Sequence, residues 1–140
     1  MTAAIVGEEI PPLVVIPNLR QLVQYAGASG DFYEMHYDLD AARALGHPEL
    51  SVHGLLKAAL LGRLVTAWAE GRGRVEVLDV SYRGMDFRDS PLTCRGWIEA
   101  VDDDRVRLTI WTEDVEGHRT TLGHAEVVLA NAQRGEVHEP

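Results

Sequence analysis

In the first half of the chain apolar residues recur at helical spacing, and in the second half they alternate. Leu13 to Ile16 is a short apolar run that reads as a strand. Pro17-Asn18 follows as a helix start, with Asn18 as N-cap. Leu19, Leu22, Val23 and Ala26 then fall on one helical face, and Gly27 with Gly30 marks the end. Leu39 to Leu45 reads as a short helix capped by Asp38 and stopped at Gly46, before a loop at His47-Pro48-Glu49. From Val52 to Ala69 the sequence VHGLLKAALLGRLVTAWA is apolar around most of the helical circumference, broken by Lys57, Arg63 and Thr66. Such a helix must be buried on most sides. Gly71-Arg72-Gly73 ends it.

Four β-like segments follow: Val75 to Tyr82, Leu92 to Val101, Val106 to Glu113 and Thr120 to Ala130. Asp102-Asp103-Asp104 and Val115-Glu116-Gly117-His118 sit where turns belong, and the Asp run reads as a solvated turn rather than a metal loop. The expected order is a short strand, a helix, a helical loop, a long buried helix and four strands in an antiparallel meander. A sheet curled around the long helix, the hot-dog arrangement, hides that helix on several sides. An α+β sandwich with the helix on one face is the alternative. The length of 140 residues predicts one domain over 1–140, with a polar, flexible tail over 131–140.

Composition narrows the function. Acids outnumber Lys and Arg by 22 to 13, a formal charge of −9, which argues against nucleic-acid binding through a net positive field. Lys57 is the only lysine. Cys94 is the single cysteine, so no internal disulfide is possible, and its strand-like surroundings favour a packed thiol over a nucleophile. The N-terminal stretch carries acids where a secretory signal carries positive charge, and no uncharged apolar run reaches the roughly 18 residues of a membrane span. These features predict a soluble, cytoplasmic protein.

Candidate chemistry lies in two places. The stretch SGDFYEMHYD, Ser29 to Asp38, holds Asp31 and His36 five residues apart. They would diverge on a helix but can converge in the loop that Gly30 suggests. A carboxylate and an imidazole sharing one water form a general acid/base pair. Spacing alone favours the bland reading, since surface Asp and His lie five apart by chance in many loops. Asp31, His36, Asp38, His47 and His53 are all potential metal ligands, yet no H-x-x-x-H, H-E-x-x-H or cysteine pair is present, so no metal site is expected. Downstream, His53-Gly54 opens the long helix. Free N–H groups there can receive an oxyanion, and glycine permits close approach. A tight junction with a packed His53 is the bland alternative.

Together, YAGASGDFYEMHYDLDAARALG and SVHGLLKAALLGRLVTAW resemble the MaoC-like hydratases and dehydratases, the (R)-specific enoyl-CoA hydratases. Ser29, Gly30, Asp31, His36, Asp38, Ala42, His53, Gly54, Leu55 and Leu56 fall in the places of that family's two motifs, and the match runs roughly from Leu19 to Trp68. The resemblance implies a hot-dog fold and an acyl thioester of coenzyme A or a carrier protein as substrate. It further implies reversible addition of water across a trans-2-enoyl bond, with Asp31 and His36 activating the water. Gly54, through its N–H, is the implied donor to the thioester oxygen, with His53 and Ser29 grouped beside it as substrate-binding residues. No metal or redox cofactor is implied.

Two departures stand out. Tyr33-Glu34 replaces the family's Asn-Pro, and MDFRDSPLTCRG lacks its Pro-x-x-x-Gly-Asp order. In both the chain is similar to short MaoC-like subunits of actinobacterial steroid side-chain degradation, and it resembles the catalytic member of such pairs. A homodimer or a heteromer with a second MaoC-like subunit is therefore expected. Two rivals remain. A thioesterase would want a carboxylate on the long helix, and Val52 to Ala69 contains none. A non-catalytic, pocket-shaping subunit would typically have lost Asp31 or His36.

Overall fold

The computed structural model describes residues 3–130. The tail expected over 131–140 lies outside the described residues. β1 (Leu13–Val15) is followed by α1 (Leu19–Ser29), where the Asn18 side chain accepts a hydrogen bond from the Gln21 N–H at 2.9 Å. The helix runs through Gly27 and ends at Gly30, whose φ of 77° is left-handed. Gly27 does not stop it, because an interior glycine costs a helix only about 1 kcal/mol. A single 3₁₀ turn, Glu34–His36, leads to α2 (Leu39–Ala44), where the Asp40 and Ala41 N–H groups donate to the Asp38 side chain at 3.0 and 3.1 Å.

The long helix, α3 (Gly54–Ala69), begins two residues later than expected. Residues 50–52 are extended instead. The Val52 N–H donates to the Asp86 carbonyl and the Arg88 N–H to the Leu50 carbonyl, each at 2.8 Å, and Ser51 bridges Phe87.

β2 (Gly73–Tyr82), β3 (Leu92–Asp102), β4 (Arg105–Glu113) and β5 (Arg119–Leu129) complete an antiparallel sheet of order β1-β3-β4-β5-β2. The expected four-strand meander is thus a three-strand one. β3, β4 and β5 are joined by the two predicted turns, whereas β2 lies beyond β5. The cause is the 83–91 segment, which forms no hairpin turn. Its backbone groups bond to residues 50–52 and to the Thr120 carbonyl, leading the chain away before β3 begins. Register irregularities at Val75/Val77 and Ile98/Ala100 help curl the sheet. At Gly123 any Cβ would collide with the Asp79 carbonyl of β2, so that pairing requires glycine.

The concave face packs on Leu56, Leu60, Leu61, Leu64 and Val65 of α3, all buried. Cys94 is fully buried there, and burial, then the nearby Asp86, pushes its thiol pKa up to about 12, which makes it a structural thiol. One side of α3 stays open, contrary to the expectation of burial on most sides: Leu55 is 55 % exposed and Ala59 is exposed. Among the described residues no helix is long and apolar enough to cross a membrane.

Candidate active site

Residues from three segments meet at the N-terminal end of α3. The 3₁₀ turn that starts at Glu34, in place of an Asn-Pro loop, turns His36 inward, where its side chain is only 4 % exposed. His36 Nδ1 lies 2.8 Å from the Ser51 carbonyl and 3.2 Å from Ser51 Oγ. A carbonyl only accepts, so Nδ1 carries a proton, and the neutral tautomer of the ring has its lone pair on Nε2. That Nε2 faces Asp31 Oδ2 at 3.8 Å, beyond a direct hydrogen bond and within the reach of one shared water. Asp31 is held by its other oxygen, which accepts from the Tyr33 N–H at 3.3 Å, and its side chain is 39 % exposed. The predicted pair is therefore brought together, with one partner buried and one facing solvent.

His53, fully buried, stacks on His36 with ring centroids 3.7 Å apart and planes 18° apart. Its Nε2 lies 3.2 Å from the Asp31 carbonyl, while its Nδ1 has no hydrogen-bond partner among the described residues. Burial lowers the His53 pKa, and the neighbouring His36 lowers it further. His53 is thus a neutral imidazole that braces both members of the pair. The edge of Tyr25 covers its other side at 5.0 Å.

Gly54 is the first residue of α3, so its N–H is among those the helix cannot satisfy internally. The room a Cβ would need there is taken by the Tyr82 ring, 3.3 Å away. A larger residue here would make the Tyr82 ring yield by a few tenths of an ångström. Ser29 joins the site only indirectly: its hydroxyl donates to the Tyr25 carbonyl at 2.7 Å and accepts from the Asp31 N–H at 3.2 Å. It shapes the turn that presents Asp31.

Of the five potential ligands, Asp38 is a helix cap and His47 packs near Phe87, which leaves Asp31, His36 and His53 with ligand atoms within 4.8 Å of one another. The ring nitrogens that face carbonyls, His36 Nδ1 and His53 Nε2, carry protons and so are not free to ligate an ion. Two cavities, of about 580 and 760 Å³, lie at the other end of α3 around Arg63, Ala67 and Glu70, and neither is lined by Asp31, His36 or Gly54. The sequence reading missed Ser51, Tyr25 and Tyr82. Ser51 orients His36 mainly through a main-chain carbonyl, which leaves no signal in residue type.

A curled antiparallel sheet on one long helix, with these side chains at the helix start, is the hot-dog fold. The chain belongs to the MaoC like domain family, whose profile matches residues 11–131. It is 26 % identical over 117 residues to the 3-oxo-4,17-pregnadiene-20-carboxyl-CoA hydratase beta subunit of Mycobacterium tuberculosis, covering 84 % of this chain and 91 % of that one. Two solved structures share the fold. A chain of the ChsH1–ChsH2 complex from Mycobacterium tuberculosis matches with TM-score 0.83 and 23 % identity, over 91 % of this chain and all of that one. The (R)-hydratase from A. caviae involved in PHA biosynthesis matches with TM-score 0.84 and 22 % identity, over 93 % and 100 %.

Proposed function

We propose that this protein is a hydratase/dehydratase that adds water reversibly across the trans-2 double bond of an enoyl-CoA. The observation that carries the reading is His36 Nε2 facing the Asp31 carboxylate across 3.8 Å beside the start of α3. A water held between them is polarised by both groups. Its oxygen bonds to C3 while the C2=C3 electron pair shifts toward the thioester carbonyl. The proton it loses is returned to C2 through the same pair, and its other hydrogen stays in the new hydroxyl. Charge builds on the thioester oxygen only as the bond forms, and the Gly54 N–H is the proposed donor to it. Water and these side chains suffice, so the proposed reaction uses no metal or redox cofactor.

We further propose a steroid side-chain enoyl-CoA as substrate and a second hot-dog subunit as partner. The mycobacterial relative, a hydratase beta subunit by name, supports both. Support for a partner also comes from β2, a ten-residue strand at the end of the sheet, with Leu78 and Tyr82 39 % and 46 % exposed beside the open Leu55. A long unpaired edge beside exposed apolar side chains favours association. The retained Asp31 and His36 set this reading above a pocket-shaping subunit.

The test is to offer the purified protein, alone and with its partner, trans-2-enoyl-CoA substrates of short, medium and steroid-like length and to follow loss of the conjugated thioester absorbance. Turnover that disappears in Asp31→Asn and in His36→Ala, with the fold intact, is the expected result. Activity surviving in both variants overturns the site, and release of free CoA thiol identifies a thioesterase instead.

A further inference from the structure

The only lysine of the chain lies inside it. Lys57, in the first turn of α3, is 2 % exposed, and its ammonium donates to Asp86 Oδ2 at 2.9 Å and to the Gly84 carbonyl at 2.8 Å. Asp86 is 6 % exposed. A buried ion pair brings little net stability compared with apolar residues of similar volume, so its value is sought in what it orients. Asp86 and its neighbours pair with residues 50–52: the Asp86 carbonyl accepts from the Val52 N–H, Phe87 bridges Ser51, and the Arg88 N–H reaches the Leu50 carbonyl. Ser51 in turn supplies the carbonyl that fixes His36 Nδ1, and its own N–H donates to the Met35 carbonyl. We propose that the Lys57–Asp86 pair is a positioning device for His36. It clamps the 84–88 segment to α3, and so sets the Ser51 carbonyl that holds the imidazole tautomer and its Nε2 direction. Lys57 and Asp86 act through Ser51 and touch no reacting atom. The kinetic part of this inference rests on the proposed hydratase reading; the structural part does not.

The experiment uses the double variant Lys57→Met/Asp86→Leu, which removes both charges at similar volume. Two readouts are taken on the folded protein, confirmed by its thermal midpoint. The first is the downfield proton resonance of the His36 Nδ1–H, assigned by its loss in His36→Asn. The second is kcat and KM for the enoyl-CoA. The proposal expects the resonance to shift or broaden away, with kcat down about tenfold to 100-fold and KM changed far less, as for a small misplacement of a catalytic group. A resonance unmoved in the folded double variant overturns it, whatever the enzyme turns over. Should that variant not fold, Lys57→Met alone is read by the same two signals, and an unmoved resonance again overturns the clamp. A protein inactive on every enoyl-CoA but with the resonance lost in the variant would sink the hydratase reading and keep the clamp.

Discussion

Two clusters among the described residues combine aspartate and histidine, and either could be drawn as a site. Asp31, His36 and His53 meet at the start of α3; Asp114, Glu116 and His118 meet on the β4–β5 turn. The turn has the shorter contacts, 3.2 Å from His118 Nδ1 to Asp114 and 3.4 Å to Glu116, against 3.8 Å between His36 and Asp31. Yet the His118 side chain is 69 % exposed, and Asp114 is occupied in closing the turn, accepting from the Glu116 and His118 N–H groups at 2.9 Å each. Proximity is therefore not what separates them. At α3 one imidazole is buried, its tautomer is set by a carbonyl, a second ring braces it, and helix N–H groups without intrahelical partners lie beside it. On the turn water screens every charge, and such pairs are worth little.

Breaking the first cluster has the largest expected effect. Asp31→Asn and His36→Ala should each reduce enoyl-CoA hydration by roughly 10²- to 10⁴-fold, the usual worth of a general acid/base. Steady-state kinetics on folded variants check this. Next in size is Gly54→Ala. Its Cβ meets Tyr82, so the ring must yield by a few tenths of an ångström. Turnover should fall at least tenfold while stability changes by no more than about 1 kcal/mol. Adding Tyr82→Ala separates the causes: recovered turnover assigns the loss to the displaced ring, and continued loss assigns it to crowding of the thioester oxygen.

The third test sharpens the contrast through pH. His53 has a pKa below its ordinary value of about 6.5 because burial, then His36, disfavours its charge. Below that pH the unfolded chain binds the proton more readily than the folded one, so this contribution is complete above about 6.5 and is lost as pH falls toward the folded pKa. The thermal midpoint of the parent should therefore drop relative to His53→Gln between pH 7.5 and 5.5. A constant gap between the two proteins would show that His53 is not held neutral by the fold. The smallest effects belong to the turn. His118→Ala should stay within about 0.5 kcal/mol of the parent, and Asp114→Ala should cost about 1 kcal/mol for its lost hydrogen bonds. Neither should alter turnover; a drop in either would erase the distinction between the clusters.

Much of this was legible in the residues. Local rules placed Asn18 and Asp38 as caps, Gly30 and Gly46 as stops, the buried core of α3 and both turns of the three-strand meander, because each depends on neighbours a few positions away. The motifs SGDFYEMHYD and VHGLL pointed to Asp31, His36, His53 and Gly54 as the residues to examine. What no local pattern could supply was long-range pairing. The place of β2 beyond β5, the late start of α3 and the clamp from Lys57 all follow from the 83–91 segment choosing residues 50–52 and Thr120 as hydrogen-bond partners. That choice depends on backbone groups, which every residue but proline carries alike. Local residue patterns set which elements form and which side chains carry candidate chemistry. That His36 is buried with Nε2 toward Asp31 follows from long-range contacts, because a carbonyl fifteen residues away holds Nδ1 and a second ring stacks on its face.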